Sequence, residues 1–219
     1  MQLTLPIADR FRRPAVVLLT LAYLAGVVGL HLPLLQPWFM PLVPLNLLAS
    51  LLLLLAFHPD WRSSFVFYCV LCFLIGYWVE VLGVYTGMVF GRYAYGPTLG
   101  WSLLGVPLVI GVNWLTLSYC CGSLFDLLPV PIYLKTILAA TLMVALDVLI
   151  EPVAIRLDFW TWYGEPIPLR NYLGWWIVSA ILLAIWYGLP FAKKNPLALP
   201  LLLLQFLFFG LSSLVARLM

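Results

Sequence analysis

From Pro14 to Pro59 the chain runs 46 positions without an Asp, Glu, Lys or Arg. A soluble protein of 219 residues has no way to hide such a run, and at about 20 residues per crossing it is long enough for two membrane helices. The rest of the chain agrees. Charged residues make up 9% of the whole and hydrophobic residues 65%, whereas a soluble surface needs about 25–35% charged positions. The expected fold is all-α: a polytopic membrane bundle of about seven transmembrane helices, forming one transmembrane domain over residues 1–219. Runs such as Leu51 to Leu55 do not alternate, which sets aside a β-barrel.

The gaps between charges place the spans near 15–35, 41–57, 64–84, 101–121, 130–151, 174–190 and 196–216. The second is short enough to be tilted or re-entrant. Arg10-Phe11-Arg12-Arg13 before the first apolar run looks like a signal peptide, but no small-residue cleavage site follows, so a first membrane helix is expected. With the N-terminus cytoplasmic, that side carries Arg10, Arg12, Arg13, Arg62, Lys193, Lys194 and Lys135. The other side carries Arg92, Arg156, Arg170 and Arg217, and seven against four favours this orientation. The expected location is a bacterial cytoplasmic membrane, with membrane lipid as surroundings.

Composition also limits function. No stretch suffices for a nucleotide-binding domain, and a formal charge of +3 is too diffuse for a nucleic-acid partner. Four Cys and two His leave little scope for a metal or redox centre, and none is expected. His31 and His58 fall at opposite membrane faces, which counts against a shared haem. Cys69-x-x-Cys72 and Cys120-Cys121 lie within apolar spans, where free Cys behaves as a small hydrophobe.

Three carboxyl groups stand out. Glu80, Asp147 and Glu151 lie in apolar spans, where a carboxyl group costs several kcal/mol unless it faces the bundle interior or a cavity. Glu80 and Asp147 fall at similar depths, and Asp147 and Glu151 share a helix face at i and i+4. The three can meet in the outer part of the bundle. The competing reading is interfacial pairing of Glu80 with Arg92 and Glu151 with Arg156, with Glu151-Pro152 ending a helix. Asn113, expected about 18 Å inside the fourth span, could orient a water or a carboxyl group, or simply bond a neighbouring helix.

Thirty-four residues are aromatic, many of them an interfacial belt. Two clusters are denser than a belt needs, at residues 83–97 and 159–176. Gly and Pro within them permit tight turns. These loops are expected to cap the outer mouth of the acidic cavity, with Tyr85, Tyr93, Tyr95, Trp114, Trp160, Trp162, Asn171 and Trp175 as substrate-binding candidates. Such a cavity suits a long apolar ligand, or protonation of a carbon–carbon double bond with the cation held against ring faces. Burial of a carboxyl group favours its neutral form, and a second carboxyl nearby favours it further.

The run Glu80-x-x-Gly83-x-x-Thr86-Gly87-x-x-Phe90-Gly91-x-Tyr93-x-Tyr95 resembles the CruF-type membrane carotenoid hydratases, related to the bacterioruberin-pathway hydratases. Pro107 and Trp114, Asp147-x-x-x-Glu151-Pro152, Trp160-x-Trp162 and Ile167-Pro168-x-x-Asn171-Tyr172-x-Gly174-Trp175 extend the resemblance over residues 64–180. It implies a lyase that adds water across the terminal 1,2 double bond of an acyclic carotenoid end group, such as gamma-carotene or a lycopene-like compound. It also implies no organic cofactor, a substrate drawn from the bilayer, and other carotenoid-pathway enzymes as candidate partners. The family's acidic positions carry over onto Glu80, Asp147 and Glu151, and its loop residues onto Tyr93, Tyr95, Trp160, Trp162 and Asn171. Glu165-Pro166 departs from the Tyr-x-Gly before Ile-Pro that family members commonly show, and adds a fourth acid near the expected mouth. The alternatives are a membrane prenyltransferase, a proton-coupled transporter and a carotenoid-binding protein without enzymatic activity. Asp147-x-x-x-Glu151 imitates only half of a diphosphate–Mg²⁺ site, and no inverted repeat of the transporter kind is visible.

Overall fold

The computed structural model describes residues 9–164 and 166–218. Long apolar stretches fold into helices because, in lipid, a helix satisfies its own backbone hydrogen bonds. The first, α1, runs from Arg12 to His31. The second is continuous from Gln36 to Ala56. It comprises α2 (Gln36–Phe39), a 3₁₀ turn (Met40–Leu42) and α3 (Val43–Ala56). Its prolines crowd the first turns, where a missing N–H costs little. Then follow α4 (Ser63–Thr86), α5 (Val109–Asp126), α6 (Ile132–Arg156), α7 (Leu169–Gly188) and α8 (Ala198–Leu218).

Six of these seven helical segments are long and apolar enough to cross a membrane, and the protein is an α-helical membrane bundle. The exception, α5, is its axis. Thirteen of its 18 residues are buried, and it packs against α3, α4, α6, α7 and α8. A helix shielded from lipid on most sides tolerates Asn113, Thr116, Ser118 and Ser123, whereas its neighbours turn leucines outward.

Several boundaries differ from expectation. The fourth span does not begin at Trp101. Residues 102–107 form a hairpin, β2 (Ser102–Leu103) against β3 (Val106–Pro107), so Pro107 is a strand residue rather than a helical one. The Tyr77 hydroxyl donates to the Leu103 carbonyl and ties this hairpin to α4. The sixth span starts earlier than Gly174, at Leu169, directly after Pro168. Pro152 does not end the fifth span: α6 continues to Arg156. The second span, at 21 residues, has the length of a full crossing.

Hydrogen bonds gather three turns at one end of the bundle. Arg62, before α4, donates to Pro190 O after α7; Asn195, before α8, donates to Leu54 O on α3; Lys135 pairs with Asp126 across the α5–α6 turn. This end carries Arg62, Lys135, Lys193 and Lys194. The opposite end is closed by the only inter-loop sheet among the described residues. There β1 (Tyr93–Tyr95) pairs antiparallel with β4 (Trp160–Trp162) in the register Tyr93↔Trp162, Ala94↔Thr161, Tyr95↔Trp160. Glu165 lies outside the described residues.

Candidate active site

Strand periodicity builds the site's roof. Successive strand residues point to opposite faces, so Tyr93 and Tyr95 share the inner face while Ala94 turns away. Trp160 and Trp162 do the same across the ladder, with Thr161 exposed. Beneath this roof, Glu80 and Glu151 are almost completely buried and Asp147 entirely so.

Each carboxyl group has its own set of partners. Glu80 Oε2 accepts from the Tyr93 hydroxyl (2.5 Å) and the Tyr95 hydroxyl (2.8 Å), and Oε1 accepts from the Trp114 indole N–H (3.0 Å). Glu151 Oε2 accepts from the Trp160 and Trp162 indoles at 3.0 and 2.9 Å. Asn171 Nδ2 then donates both to Glu151 Oε1 (3.0 Å) and to Asp147 Oδ2 (3.1 Å), which clamps two carboxyl groups one helical turn apart. Asp147 Oδ1 is buried without a hydrogen-bond partner. The interfacial pairs considered above are thus replaced by indoles, phenols and an amide around Glu80 and Glu151. Burial pushes the Tyr93 and Tyr95 hydroxyls far above the usual phenol range, so both keep their protons.

Two glycines allow this closeness. A Cβ at Gly76 would lie 2.5 Å from Trp114, and one at Gly83 would lie 2.9 Å from the Tyr93 hydroxyl. The Trp114 ring stacks on Trp175 with centroids 4.2 Å apart.

Two neighbouring spaces share walls here. A small chamber of about 30 Å³ is bounded by Glu80, Glu151, Asn171 and the roof rings. It has room for water but not for an isoprenoid end group. Beside it lies an apolar cavity of about 280 Å³, walled by α1, α3, α5 and α8 and reaching Phe39 and Leu99. Ile110, Asn113, Ile150 and Trp160 line both spaces.

The expected residues fall into place unevenly. Glu80, Glu151, Tyr93, Tyr95, Trp114, Trp160, Trp162, Asn171 and Trp175 come together around the chamber. Asp147 stands behind Asn171 rather than in the chamber wall. Asn113 is shallower than expected, because α5 starts at Val109: it sits one turn, about 6 Å, from that end, level with the carboxyl groups. Tyr85 does not join them; its side chain is 69% exposed on the outside of α4. The first, second and seventh spans wall the apolar cavity. Tyr23, Asn46 and Gln205 face it from α1, α3 and α8. Asn46 and Gln205 were detectable as amides in otherwise charge-free spans.

The fold and site define a polytopic membrane protein with an acidic, aromatic-roofed chamber beside an oily cavity. Residues 39–219 match the family described as carotenoid biosynthesis protein, and the chain belongs to that family. It is similar to the bisanhydrobacterioruberin hydratase of Haloarcula japonica, with 32% identity over 120 residues, 49% of this chain and 40% of that protein. The match therefore spans less than half of the relative's length. No solved structure matches the chain.

Proposed function

We propose that the protein is a hydro-lyase that adds water across the terminal 1,2 double bond of an acyclic carotenoid end group. The observation that carries this reading is the junction of the two spaces: a water-sized acidic chamber against a cavity suited to an apolar chain. Membership in a carotenoid biosynthesis family and similarity to a carotenoid hydratase support it.

Hydrogen-bond chemistry separates the carboxyl groups by role. The partners of Glu151 are two indole N–H groups and an amide nitrogen, none of which can accept a hydrogen bond. Glu151 is therefore the ionised acceptor. Two partners of Glu80 are hydroxyls, which can reverse and accept, so Glu80 can carry a proton and is the donor. The polyene lies in the apolar cavity with its end group at Asn113 and Trp160. Glu80 protonates C2, the electrons of the C1=C2 bond form the new C–H bond, and positive charge develops at the tertiary C1. The Trp160 face and the stacked Trp114–Trp175 pair stabilise that charge by cation–π attraction. A chamber water held by Glu151 attacks C1 and gives its proton to Glu151. Transfer through the chamber then returns the proton to Glu80. Asp147 acts through Asn171, as a positioning residue. The test is co-expression with a pathway that supplies lycopene, followed by pigment mass analysis. Pigment heavier by one water per end group is the expected result. Unchanged pigment in the presence of abundant protein contradicts it.

A further inference from the structure

The far part of the apolar cavity contains a polar group that hydration chemistry does not use. Gln205 on α8 is 2% exposed and lines the cavity, and its Oε1 has no hydrogen-bond partner. An acceptor left unpaired in an apolar interior is costly, so its position calls for a donor. Its neighbours share its chemistry. The Tyr23 hydroxyl, which lies 3.4 Å from the Ser50 hydroxyl, sits beside both Asn46 and Gln205. Tyr23, Asn46 and Gln205 come from three different helices, α1, α3 and α8, and all line the same space. The cavity is otherwise hydrophobic apart from Asn113 at the chamber end.

The distance to the chamber follows from depth along the helices. Asn46 lies ten residues, about 15 Å, from the capped-end start of the second span at Gln36, and Asn113 lies four residues, about 6 Å, from the capped-end start of α5 at Val109, a difference of roughly 10 Å. A hydrocarbon chain leaving the chamber would meet this cluster after about that length and offer Gln205 Oε1 no donor beyond the neighbouring Tyr23 hydroxyl. A chain with a hydroxyl at that point would donate to Gln205 Oε1 and accept from Tyr23 or Asn46.

We propose that Tyr23, Asn46 and Gln205 form a hydroxyl-recognition subsite, and that the preferred ligand is an acyclic isoprenoid with a hydroxyl group about 10 Å from the double bond at the chamber. This inference rests on the cavity's being the substrate channel of the proposed hydratase. It adds the substrate's oxygen substituent to that reading.

Isoprenoid alcohols provide a ruler, because geraniol, farnesol and geranylgeraniol share the same terminal double bond and carry the hydroxyl at increasing distance. Binding of each to the detergent-purified full chain is measured by quenching of tryptophan fluorescence, against the corresponding hydrocarbons with hydrogen in place of the hydroxyl. Hydration of lycopene is followed separately. The expected result is that one alcohol binds about tenfold more tightly than its hydrocarbon, the effect of one net hydrogen bond. That ratio falls towards one in both Gln205→Leu and Asn46→Leu. Gln205→Asn, which keeps an amide on a shorter stem, serves as the folding control and retains part of the preference. A ratio near one for every length, or a preference unchanged in Gln205→Leu, overturns the proposal. Absence of lycopene hydration would instead remove the proposed reaction and leave the binding ratio as an independent measurement.

Discussion

At the scale of single residues, the site is organised by which atoms can only donate. Three such donors surround Glu151, and one of them, the Asn171 amide, also holds Asp147. Asn171→Ala removes hydrogen bonds from two buried carboxyl groups at once. The expected cost is about 1.5–3 kcal/mol per charged bond lost, measured as a drop in thermal stability in detergent, together with lost hydration. Under the proposed mechanism Glu80→Gln and Glu151→Gln remove the acid and the base, and conversion of lycopene is expected to fall by about 10²–10⁴-fold in each. Asp147→Asn keeps the shape beside Asn171 and is expected to lose less than either. These acids were legible in the sequence because a carboxyl group in a lipid-spanning run demands an explanation. Their partners were legible only as a set of aromatics. Which indole meets which oxygen depends on strand pairing, and Tyr85, equally aromatic and equally close in sequence, faces outward because of its position on the α4 surface.

At the scale of elements, the roof is the decisive feature. Tyr93-Ala94-Tyr95 and Trp160-Thr161-Trp162 each have the period of two that marks a strand. Pairing them brings all four rings to one face. The alternation is visible in the sequence, but a three-residue strand is too short to stand out there, so only a lid was expected and not a ladder. The late start of α5 was hidden for a similar reason. Trp101 to Leu108 is apolar enough to pass for helix, yet Leu104 and Gly105, the two residues between β2 and β3, take positive φ values of 51° and 73° and turn the chain into a hairpin. Thr161→Pro, at the centre of β4, removes a ladder N–H. Lost hydration with helical circular dichroism retained is the expected outcome, and full activity would show that the paired roof is dispensable. Gly76→Ala places a methyl group where Trp114 lies. It is expected to cost about 1–3 kcal/mol through overpacking and to lower activity by shifting the indole that holds Glu80.

At the scale of the whole molecule, the capped end holds the buried carboxyl groups and the basic end is tied by side-chain hydrogen bonds between its turns. At the basic end His58 is buried, stacks on Phe65 at 3.5 Å, and bonds the Tyr119 hydroxyl through Nδ1 and the Asp60 carbonyl through Nε2. Burial lowers its pKa to about 4 from the usual 6.5. A His whose folded-state pKa is depressed contributes its stability above the unfolded value, and that stability is lost as pH falls from 6.5 towards about 4. The thermal midpoint of the wild type is therefore expected to drop across this window more than that of His58→Gln. Parallel curves would contradict the assignment. Between the two ends runs the apolar cavity, and Gly26 on its wall leaves room for a chain. Gly26→Leu is expected to fill that space and abolish conversion of a long carotenoid while the chamber stays intact. The bundle architecture follows from hydropathy alone, but the cavity does not, because a leucine lining a channel reads the same as a leucine facing lipid. The most direct measurement of the central claim is mass spectrometry of lycopene incubated with the purified protein in ¹⁸O-labelled water. The wild type is predicted to yield pigment carrying one labelled water per converted end, and Glu80→Gln and Glu151→Gln to yield almost none. Full labelled hydration by both variants would contradict the account of an acid and a base sharing one chamber.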